Sequence, residues 1–449
     1  MRNVTRSLLA ALIALLASAN AGALPSRATQ TFRGALADGS AYRIDVPANW
    51  NGTLVLYSHG YAQPSRPFEL AAIFDRAGIE AVETRGYAVA ASAYPYQGWA
   101  VQAALFDQMQ LLDRVPSTIG RAPAHTIAVG DSMGGDITAG LIQTHPDRFS
   151  GGLPVCGAVS GLPAMGPHLM SATLAANALI GLPRATARSQ PYGDLKKSLD
   201  PFIATAQESA RGRARLSLVA ALLQIPGWNA KTLGAPEPAA SAVEANQAAS
   251  LQWVLPFLYV IYADLQHRIG SAPLASPGRR LRLLVAASPE YPTVRALYAA
   301  AHLSLDSDLA AARRSPPYPA NAFARRYLQW FFVPDGSLRV PVLSVHTLGD
   351  DLVPVGVEDV YRELVDRAGD GGMLRDAYVA RYGHCTFTPA EFVVSLDALE
   401  RRVETGTWGD LSPSTLNRRA GALGALNELF FEGKGRNVRP AFSGRQADP

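Results

Sequence analysis

The sequence has no large excess of one charge sign and no long basic segment. Forty-one basic residues stand against thirty-seven acidic ones in 449 residues, which gives a formal net charge of +4. The basic residues are scattered, apart from short clusters at residues 279–280, 313–314 and 325–326. Nucleic-acid-binding proteins concentrate Lys and Arg on one face or in one segment. We therefore expect no nucleic-acid partner.

Cysteine and long apolar runs are also scarce. Cys156 and Cys385 are the only cysteines, and metal binding by so isolated a pair is disfavoured. No segment beyond the N-terminus has about 20 uninterrupted apolar residues, the length of a membrane-spanning helix, so we expect no stable membrane anchor. Hydrophobic residues make up 48% of the chain, enough for the core of one large domain with an insertion or of two domains.

The N-terminus has the features of a secretory leader. Arg2 and Arg6 precede an apolar run, Leu8–Ala17, and small residues follow at positions 19–23. This order is typical of a signal peptide with a cleavage site. We expect residues 1–23 to be removed and the mature protein to be secreted, either outside the cell or into a periplasm. In such a compartment two isolated cysteines are typical of a disulfide.

The most informative motif is Gly130-Asp131-Ser132-Met133-Gly134. It follows the apolar run Thr126–Val129 and opens onto apolar residues at helical spacing in positions 137–142. A strand, a sharp turn and a helix around a G-x-S-x-G motif are typical of a nucleophile elbow, which presents the serine hydroxyl at the tip of a sheet. We therefore predict that Ser132 is a nucleophile. The alternative is an ordinary loop from a strand to a helix.

Strands and helices alternate before and after a long helical segment. The pattern predicts the following elements: strands at Leu54–Tyr57, Tyr87–Ala93, Thr126–Val129, Leu153–Ala158, Val340–Thr347 and Asp376–Tyr382, and helices at Trp99–Val115 and Val357–Ala368. Alternation of this kind predicts a parallel α/β sheet. We divide the chain into a first core part (24–159), a helical cap (160–335), a second core part (336–405) and a C-terminal tail (406–449). The sequence does not decide whether this tail is ordered or loose.

A serine nucleophile needs a base and an acid that orients the base. Asp350 and Asp351 follow the strand Val340–Thr347, and His384 follows the strand Asp376–Tyr382. The capping pattern of residues 388–391 predicts that a helix begins just after the His384 loop. We therefore predict that His384 is the base. His346 lies within a predicted strand, which is typical of a core histidine with satisfied hydrogen bonds.

These motifs resemble those of the α/β-hydrolase superfamily. The likeness rests on His59-Gly60 after an early strand, the elbow at residues 130–135, the D-x-x-V-P pattern from Asp350 and the late Gly383-His384. It covers residues 40–160 and 335–405, and it implies a mainly parallel central sheet with flanking helices and a helical cap inserted before the strand that carries the acid. In that superfamily the chain order is Ser, Asp or Glu, His.

The resemblance also implies roles for individual residues. The acid maps to Asp350, with Asp351 as the alternative. The oxyanion hole maps to the backbone N–H groups of Met133 and Tyr61, with Ala62 as the alternative to Tyr61. It places Cys156 and Cys385 at the same edge of the sheet, which implies a disulfide between them.

Four aromatic residues, Tyr61, Tyr94, Tyr96 and Trp99, are predicted in loops at the active-site edge, as an apolar wall for the substrate or as packing under the cap. A disulfide between the serine and histidine segments resembles the arrangement in tannase-like and feruloyl esterases. Those enzymes have a cysteine just before the serine, where this chain has Asp131.

We predict a secreted serine esterase that acts on a small-molecule or polymeric ester, with no cofactor and no metal. The main rival is a peptidase or amidase, because proline-type peptidases resemble this chain in Gly135 after the elbow and in a helical cap. An acidic pair that binds a substrate amino terminus, for which Glu244 and Asp264 are candidates, would favour this rival. An acyltransferase is less favoured. A non-catalytic binding protein on this scaffold normally lacks part of the triad, and all three members are present here, so this alternative is disfavoured. The sequence does not predict the oligomeric state.

Overall fold

The computed structural model of the chain describes most of its residues. The described residues are 29–64, 68–74, 77–235, 238–270, 280–318, 321–431 and 434–444. The predicted leader, residues 1–23, lies outside them.

The six predicted strands are present within a few residues of their predicted bounds, and the described residues contain five further strands that the sequence did not predict. In chain order they are β1 (Gln30–Ala35), β2 (Ala41–Val46), β3 (Thr53–Ser58), β4 (Ala88–Ser92), β5 (His125–Asp131), β6 (Gly151–Val155), β7 (Val342–Gly349), β8 (Leu374–Tyr382), β9 (Glu428–Phe431), β10 (Lys434–Asn437) and β11 (Phe442–Ser443).

Helices alternate with these strands in the core, and a further group of helices forms the cap. In chain order the α-helices of the described residues are α1 (Ala71–Phe74), α2 (Ala77–Thr84), α3 (Val101–Ile119), α4 (Met133–Thr144), α5 (Leu162–Ile180), α6 (Tyr192–Gln207), α7 (Ala210–Leu222), α8 (Ala240–Ile269), α9 (Leu281–Ala286), α10 (Tyr291–Ala300), α11 (Leu305–Arg314), α12 (Ala322–Phe332), α13 (Val357–Ala368), α14 (Pro389–Thr405) and α15 (Pro413–Gly421).

Nine strands of the described residues form one sheet, in the order β1-β2-β4-β3-β5-β6-β7-β8-β11. The run from β4 to β8 pairs in parallel, and β1, β2 and β11 pair antiparallel at the two edges. Helices cover both faces, as parallel sheets require. This confirms the predicted fold class.

The central strands are buried on both faces because their sequences are nearly all apolar. Alternate side chains of β3 belong to different cores: Leu54 and Leu56 pack in one, and Val55 in the other. Ile127 and Val129 of β5 join Val55 on the same side. The period of two residues along each strand thus feeds two helical layers.

The cap consists of α5 to α12, which lie in the chain between β6 and β7. Its longest helix, α8, is long and apolar enough to cross a membrane, but 72% of its most apolar window is buried inside the protein. Burial of this extent is typical of the core helix of a soluble domain. Apolar residues all round α8 therefore pack the cap together and against the core.

The segment after residue 405 takes part in the sheet. Its β11 pairs with the edge of β8 through Phe442 and Val379. The side chain of Asn417 in α15 receives the backbone N–H of Phe442 at 2.7 Å and donates to its carbonyl at 2.8 Å. The described residues of this segment thus extend the core, where the sequence left an ordered or a loose tail open.

Candidate active site

Ser132 lies at a sharp turn between β5 and α4. Its backbone has φ 56° and ψ −121°, and residues other than glycine rarely adopt a positive φ. Two glycines make room for the turn. A Cβ atom on Gly130 would lie 2.2 Å from the carbonyl oxygen of Gly134, and one on Gly134 would lie 2.0 Å from the carbonyl oxygen of Ser58. The turn therefore requires glycine at both positions.

The three predicted catalytic side chains meet at the carboxyl edge of the sheet. Ser132, Asp350 and His384 follow β5, β7 and β8, which lie in one parallel run. His384 Nε2 lies 2.8 Å from Ser132 Oγ, and His384 Nδ1 lies 2.8 Å from Asp350 Oδ2. With the Nδ1 proton donated to the carboxylate, Nε2 is free to accept the serine proton.

Asp350 is held as a carboxylate by its surroundings. Its Oδ1 accepts the backbone N–H groups of Leu352 at 3.0 Å and Val353 at 2.8 Å. Burial alone would raise its pKa, but the charge of His384 and hydrogen bonds from His346 and His384 hold that pKa well below its usual range. Asp350 therefore stays ionised beside the imidazole.

The neighbouring carboxylate, Asp351, points toward other groups. Its Oδ2 accepts from Trp253 Nε1 at 2.9 Å and from the Tyr382 hydroxyl at 2.7 Å. Burial raises its pKa. Asp350, rather than Asp351, is therefore the carboxylate in hydrogen-bond contact with His384.

His346 is the buried histidine that the sequence predicted, and it also lies beside the candidate triad. Its Nδ1 is 2.8 Å from Glu358 Oε1, and its Nε2 is 2.8 Å from the carbonyl oxygen of Val353 and 3.5 Å from Asp350 Oδ2. Burial lowers its pKa, but the hydrogen bonds and charges of Asp350 and Glu358 outweigh burial and raise it to about 10. Sequence reasoning missed this contact, because Glu358 lies on the following helix.

The predicted disulfide is present between Cys156 and Cys385, with a Cα–Cα distance of 5.3 Å across 229 residues of sequence. Cys156 directly follows β6, and Cys385 directly follows His384. Cys385 Sγ lies 3.5 Å from His384 Nε2. Within the described part of the chain, these three residues are also the group whose atoms lie close enough for a metal ion, but both sulfurs are bonded to each other and offer no thiolate.

A cavity of about 190 Å³ lies in front of Ser132. Its lining includes the following residues of both the core and the cap: His59, Gly60, Tyr61, Ala62, Phe68, Asp131, Phe257, Leu352, His384 and Cys385. Residues 60–62 pass close to the serine, since a Cβ atom on Gly60 would lie 3.2 Å from Ser132 Cβ. Met133 is the first residue of α4, so its N–H lacks a partner within the helix. These positions suit the predicted oxyanion donors, Met133 and Tyr61 or Ala62.

Of the four aromatic residues predicted as a substrate wall, Tyr61 lines this cavity, whereas Tyr94, Tyr96 and Trp99 do not. Tyr94 is buried and stacks on His59 with ring centroids 4.0 Å apart, and Trp99 is also buried. Tyr96 is 36% exposed and lies under the guanidinium of Arg268. Packing, the alternative left open by the sequence, describes Tyr94 and Trp99.

The aromatic rings that do line the cavity are those of Tyr61, Phe68 and Phe257. Sequence reasoning missed Phe257, because it belongs to a cap helix more than one hundred residues away from the elbow along the chain. Helical periodicity places a residue on a buried face but does not say which face meets the serine.

The acidic pair that would favour a peptidase is not formed. Glu244 and Asp264 both lie on α8, and their separation along the helix corresponds to about 30 Å. Asp264 instead connects the cap to the core: its Oδ1 receives Arg268 Nε at 2.7 Å, and its Oδ2 receives the backbone N–H of Trp99 at 2.6 Å and the hydroxyl of Tyr61 at 3.4 Å.

Comparison with known proteins gave one curated relative and several solved structures. No protein-family model matches the chain. The chain is 26% identical over 451 residues to the o-phthalyl amidase of Xanthobacter agilis, a match that covers 89% of this chain and 92% of the relative.

Two of the similar solved structures are an acylaminoacyl peptidase of Pyrococcus horikoshii and a rice cell-wall-degrading esterase of Xanthomonas oryzae. The peptidase has a TM-score of 0.42 at 10% identity, over 86% of this chain and 44% of the peptidase. The esterase has a TM-score of 0.37 at 13% identity, over 83% of this chain and 87% of the esterase. The chain thus spans less than half the length of that peptidase.

The fold and the local geometry agree with each other. A mainly parallel sheet with helices on both faces carries a serine at a strand-to-helix elbow, and an acid and a histidine follow in the order Ser132, Asp350, His384. The chain therefore has the α/β-hydrolase fold that the resemblance of its motifs implied.

Proposed function

We propose that this protein is a serine hydrolase that cleaves carboxylic esters through an acyl-enzyme on Ser132. The observation that supports it most directly is the hydrogen-bonded series from Ser132 Oγ through His384 to Asp350, with both distances at 2.8 Å. A nucleophile, a base and an orienting acid in this geometry suit acyl transfer.

The proposed reaction has two steps. His384 Nε2 takes the hydroxyl proton as Ser132 Oγ attacks the carbonyl carbon, and the backbone N–H groups of Met133 and Tyr61 or Ala62 stabilise the oxyanion. The carbon–oxygen bond to the leaving alcohol then breaks, and His384 gives the alcohol its proton. Water next attacks the acyl-enzyme as His384 takes its proton. The bond from the acyl carbon to Ser132 Oγ then breaks, His384 returns the proton to Ser132 Oγ, and the carboxylic acid product leaves. Asp350 orients the imidazole throughout.

An amide bond is the second candidate. It is favoured by the relative described as an o-phthalyl amidase, which matches over 89% of this chain. The distance between Glu244 and Asp264 along α8 removes the support that the sequence offered for recognition of a substrate amino terminus. Within this candidate, an amidase that recognises the acyl side of its substrate is therefore favoured over an aminopeptidase.

The test uses esters and amides that share one acyl group. Phenyl benzoate is compared with benzanilide, and phenyl hydrogen phthalate with phthalic monoanilide, for the wild type and Ser132→Ala. Ester hydrolysis that exceeds anilide hydrolysis and is lost in Ser132→Ala supports the esterase. Anilide hydrolysis that exceeds ester hydrolysis moves the assignment to an amidase. Turnover that survives Ser132→Ala contradicts both.

We also propose that the protein is exported. The basic, apolar and small-residue segments of residues 1–23 support it, and so does a disulfide, which persists in oxidising compartments. Mass spectrometry of the mature protein from the culture medium or periplasm tests it: cleavage near residue 23 is expected, and retention of Met1 in the cytoplasm contradicts it.

A further inference from the structure

A second cavity, of about 260 Å³, lies between the cap and the loop that follows β7. Much of its lining is apolar and comes from α5, from α8 and from the residue that follows α7: Ala164, Met165, Leu169, Leu223, Val254 and Leu258. The polar residues of the lining are Ser160, His168, Gln224, Asp351 and Asp359. Two of them, His168 and Asp351, have hydrogen-bond partners outside the cavity. His168 Nδ1 lies 3.1 Å from the carbonyl oxygen of Leu222, and Asp351 Oδ2 accepts from Trp253 and Tyr382.

Leu352 lies between this cavity and the active site, because it lines both the second cavity and the cavity in front of Ser132. Its position is fixed by the candidate acid, since its backbone N–H donates to Asp350 Oδ1 at 3.0 Å. Helix α8 contributes to both sides as well: Phe257 lines the cavity at the serine, and its neighbour Leu258 lines the second. Side chains of the loop that carries Asp350 and of the cap thus lie between the two cavities.

The volumes of the two cavities suit different parts of a substrate. An apolar cavity of about 150 Å³ is large enough to bind benzene, so about 260 Å³ accommodates an aromatic ring with a substituent or a medium alkyl chain. The cavity of about 190 Å³ at Ser132 must also hold the reacting carboxyl group. A substrate with a larger apolar group needs more space than the cavity at the serine provides.

We propose that the second cavity binds an apolar substituent of the substrate, about the size of one aromatic ring, and that Leu352 controls how far this substituent enters. The proposal rests on the proposed function, because it assigns the substrate class of the same site. It makes Leu352 a specificity-determining residue and the cavity a binding site that is separate from the catalytic groups.

Two substitutions change the cavity in opposite directions. Ala164→Trp fills it from an exposed position on α5, where a large side chain is tolerated. Leu352→Ala removes most of the side chain that borders both cavities and keeps the backbone N–H that donates to Asp350. Ala178→Trp is the matched control, because Ala178 is exposed on the same helix and lies outside the cavity lining.

The readout is kcat/KM for p-nitrophenyl acetate, hexanoate and benzoate, and for acetates of ethanol, hexanol and benzyl alcohol. Ala164→Trp is expected to lower the ratio of a large to a small substrate by about tenfold or more, in the acyl or the alcohol series, since misfit in an apolar pocket has effects of this size. Leu352→Ala is expected to raise the same ratio, and Ala178→Trp to leave it unchanged. Unchanged ratios in both series for Ala164→Trp and Leu352→Ala would overturn the proposal.

A binding measurement separates this proposal from the proposed function. Benzyl alcohol is titrated into Ser132→Ala protein by calorimetry, with and without Ala164→Trp, after circular dichroism confirms that both variants are folded. Binding that is weakened by Ala164→Trp supports the cavity even if the wild type hydrolyses none of the esters, in which case only the proposed function fails. Binding that Ala164→Trp leaves unaltered contradicts the cavity assignment.

Discussion

At the scale of single residues, the candidate triad depends on which carboxylate contacts His384. Asp350 and Asp351 are adjacent and both buried, yet their partners differ. Asp350 receives two backbone N–H groups and faces His384, whereas Asp351 receives Trp253 and Tyr382. The two carboxylates therefore have separable roles in catalysis and in cap packing.

The substitution Asp350→Asn is expected to lower kcat by about four orders of magnitude, because an amide in place of the acid favours the wrong imidazole tautomer. Asp351→Asn is the matched control. Its carbonyl oxygen still accepts from Trp253 or Tyr382, so kcat is expected to stay within about tenfold of the wild type. Steady-state kinetics with one ester measures both. A larger loss in Asp351→Asn than in Asp350→Asn would reverse the assignment of the acid.

His346 makes a prediction about pH. Its pKa in the folded protein is raised to about 10 by Asp350 and Glu358, above the unfolded value of about 6.5. The stability it contributes is fully present below pH of about 6.5 and is lost as the pH rises through about 10. The melting temperature of the wild type is therefore expected to fall more over this interval than that of His346→Gln.

The control for that prediction is Glu358→Gln, which removes one of the two carboxylates that raise the pKa of His346. The unfolded value is unchanged, so the loss of stability still begins at a pH of about 6.5, but in this variant it is expected to be smaller and to be complete at a lower pH than in the wild type. Thermal unfolding at a series of pH values measures both effects. Parallel curves for the wild type and His346→Gln would show that His346 does not titrate in this range.

At the scale of secondary-structure elements, the cap is attached to the active-site loops by one carboxylate of α8. Asp264 receives the backbone N–H of Trp99 and the hydroxyl of Tyr61. Arg268, one turn later, pairs with Asp264 and donates to the carbonyl oxygen of Gln97. The loop with the predicted oxyanion donor Tyr61 is thus held from the cap side, which makes Asp264 a positioning residue.

Asp264→Ala is expected to lower kcat by about tenfold or more with a smaller change in KM, because the loop with the oxyanion donor loses its support. Asp264→Asn is the conservative control, since its carbonyl oxygen can still accept from the N–H of Trp99, and it should recover part of the activity. Measurement of kcat and KM separately tests this. Full activity in Asp264→Ala would leave Asp264 with a purely structural role.

The disulfide joins the end of β6 to the histidine loop across 229 residues. On the chain-entropy account, such a loop contributes up to about 5 kcal/mol to the free energy of unfolding. The double substitution Cys156→Ser with Cys385→Ser is expected to lower that free energy and to lower kcat, because His384 directly precedes Cys385. Denaturant unfolding and kinetics measure the two effects. Uptake of an alkylating reagent by the unfolded, unreduced wild type would show that the bond is absent.

At the scale of the whole molecule, the sequence predicted best what depends on local patterns. The spacing of the apolar residues predicted helix α13 with the bounds that the structure has, Val357–Ala368. The capping pattern at Thr388 and Glu391 predicted the start of α14, where both hydrogen bonds of the capping box are present. These features depend on neighbours a few residues apart, so one sequence is enough to find them.

Contacts between distant segments were harder to predict. The sequence placed Tyr61, Tyr94, Tyr96 and Trp99 at the substrate. Of these, Tyr61 lines the cavity at Ser132, and its unpredicted neighbours there include Phe257 and Leu352. Which side chains meet across a cap and a core depends on how α8 rotates and docks, and its apolar residues lie all round the helix. The same limit hid the contacts of Asp264 and the pairing of β11 with β8.

The central claim is that Ser132 forms a covalent acyl-enzyme with His384 as its base. A fluorophosphonate is added to the folded wild type, Ser132→Ala and His384→Ala, and the intact mass and the labelled peptide are measured over time. The account predicts one adduct per chain on Ser132 in the wild type, none in Ser132→Ala and much slower labelling in His384→Ala. An unlabelled wild type, or equal labelling of Ser132→Ala, would contradict it.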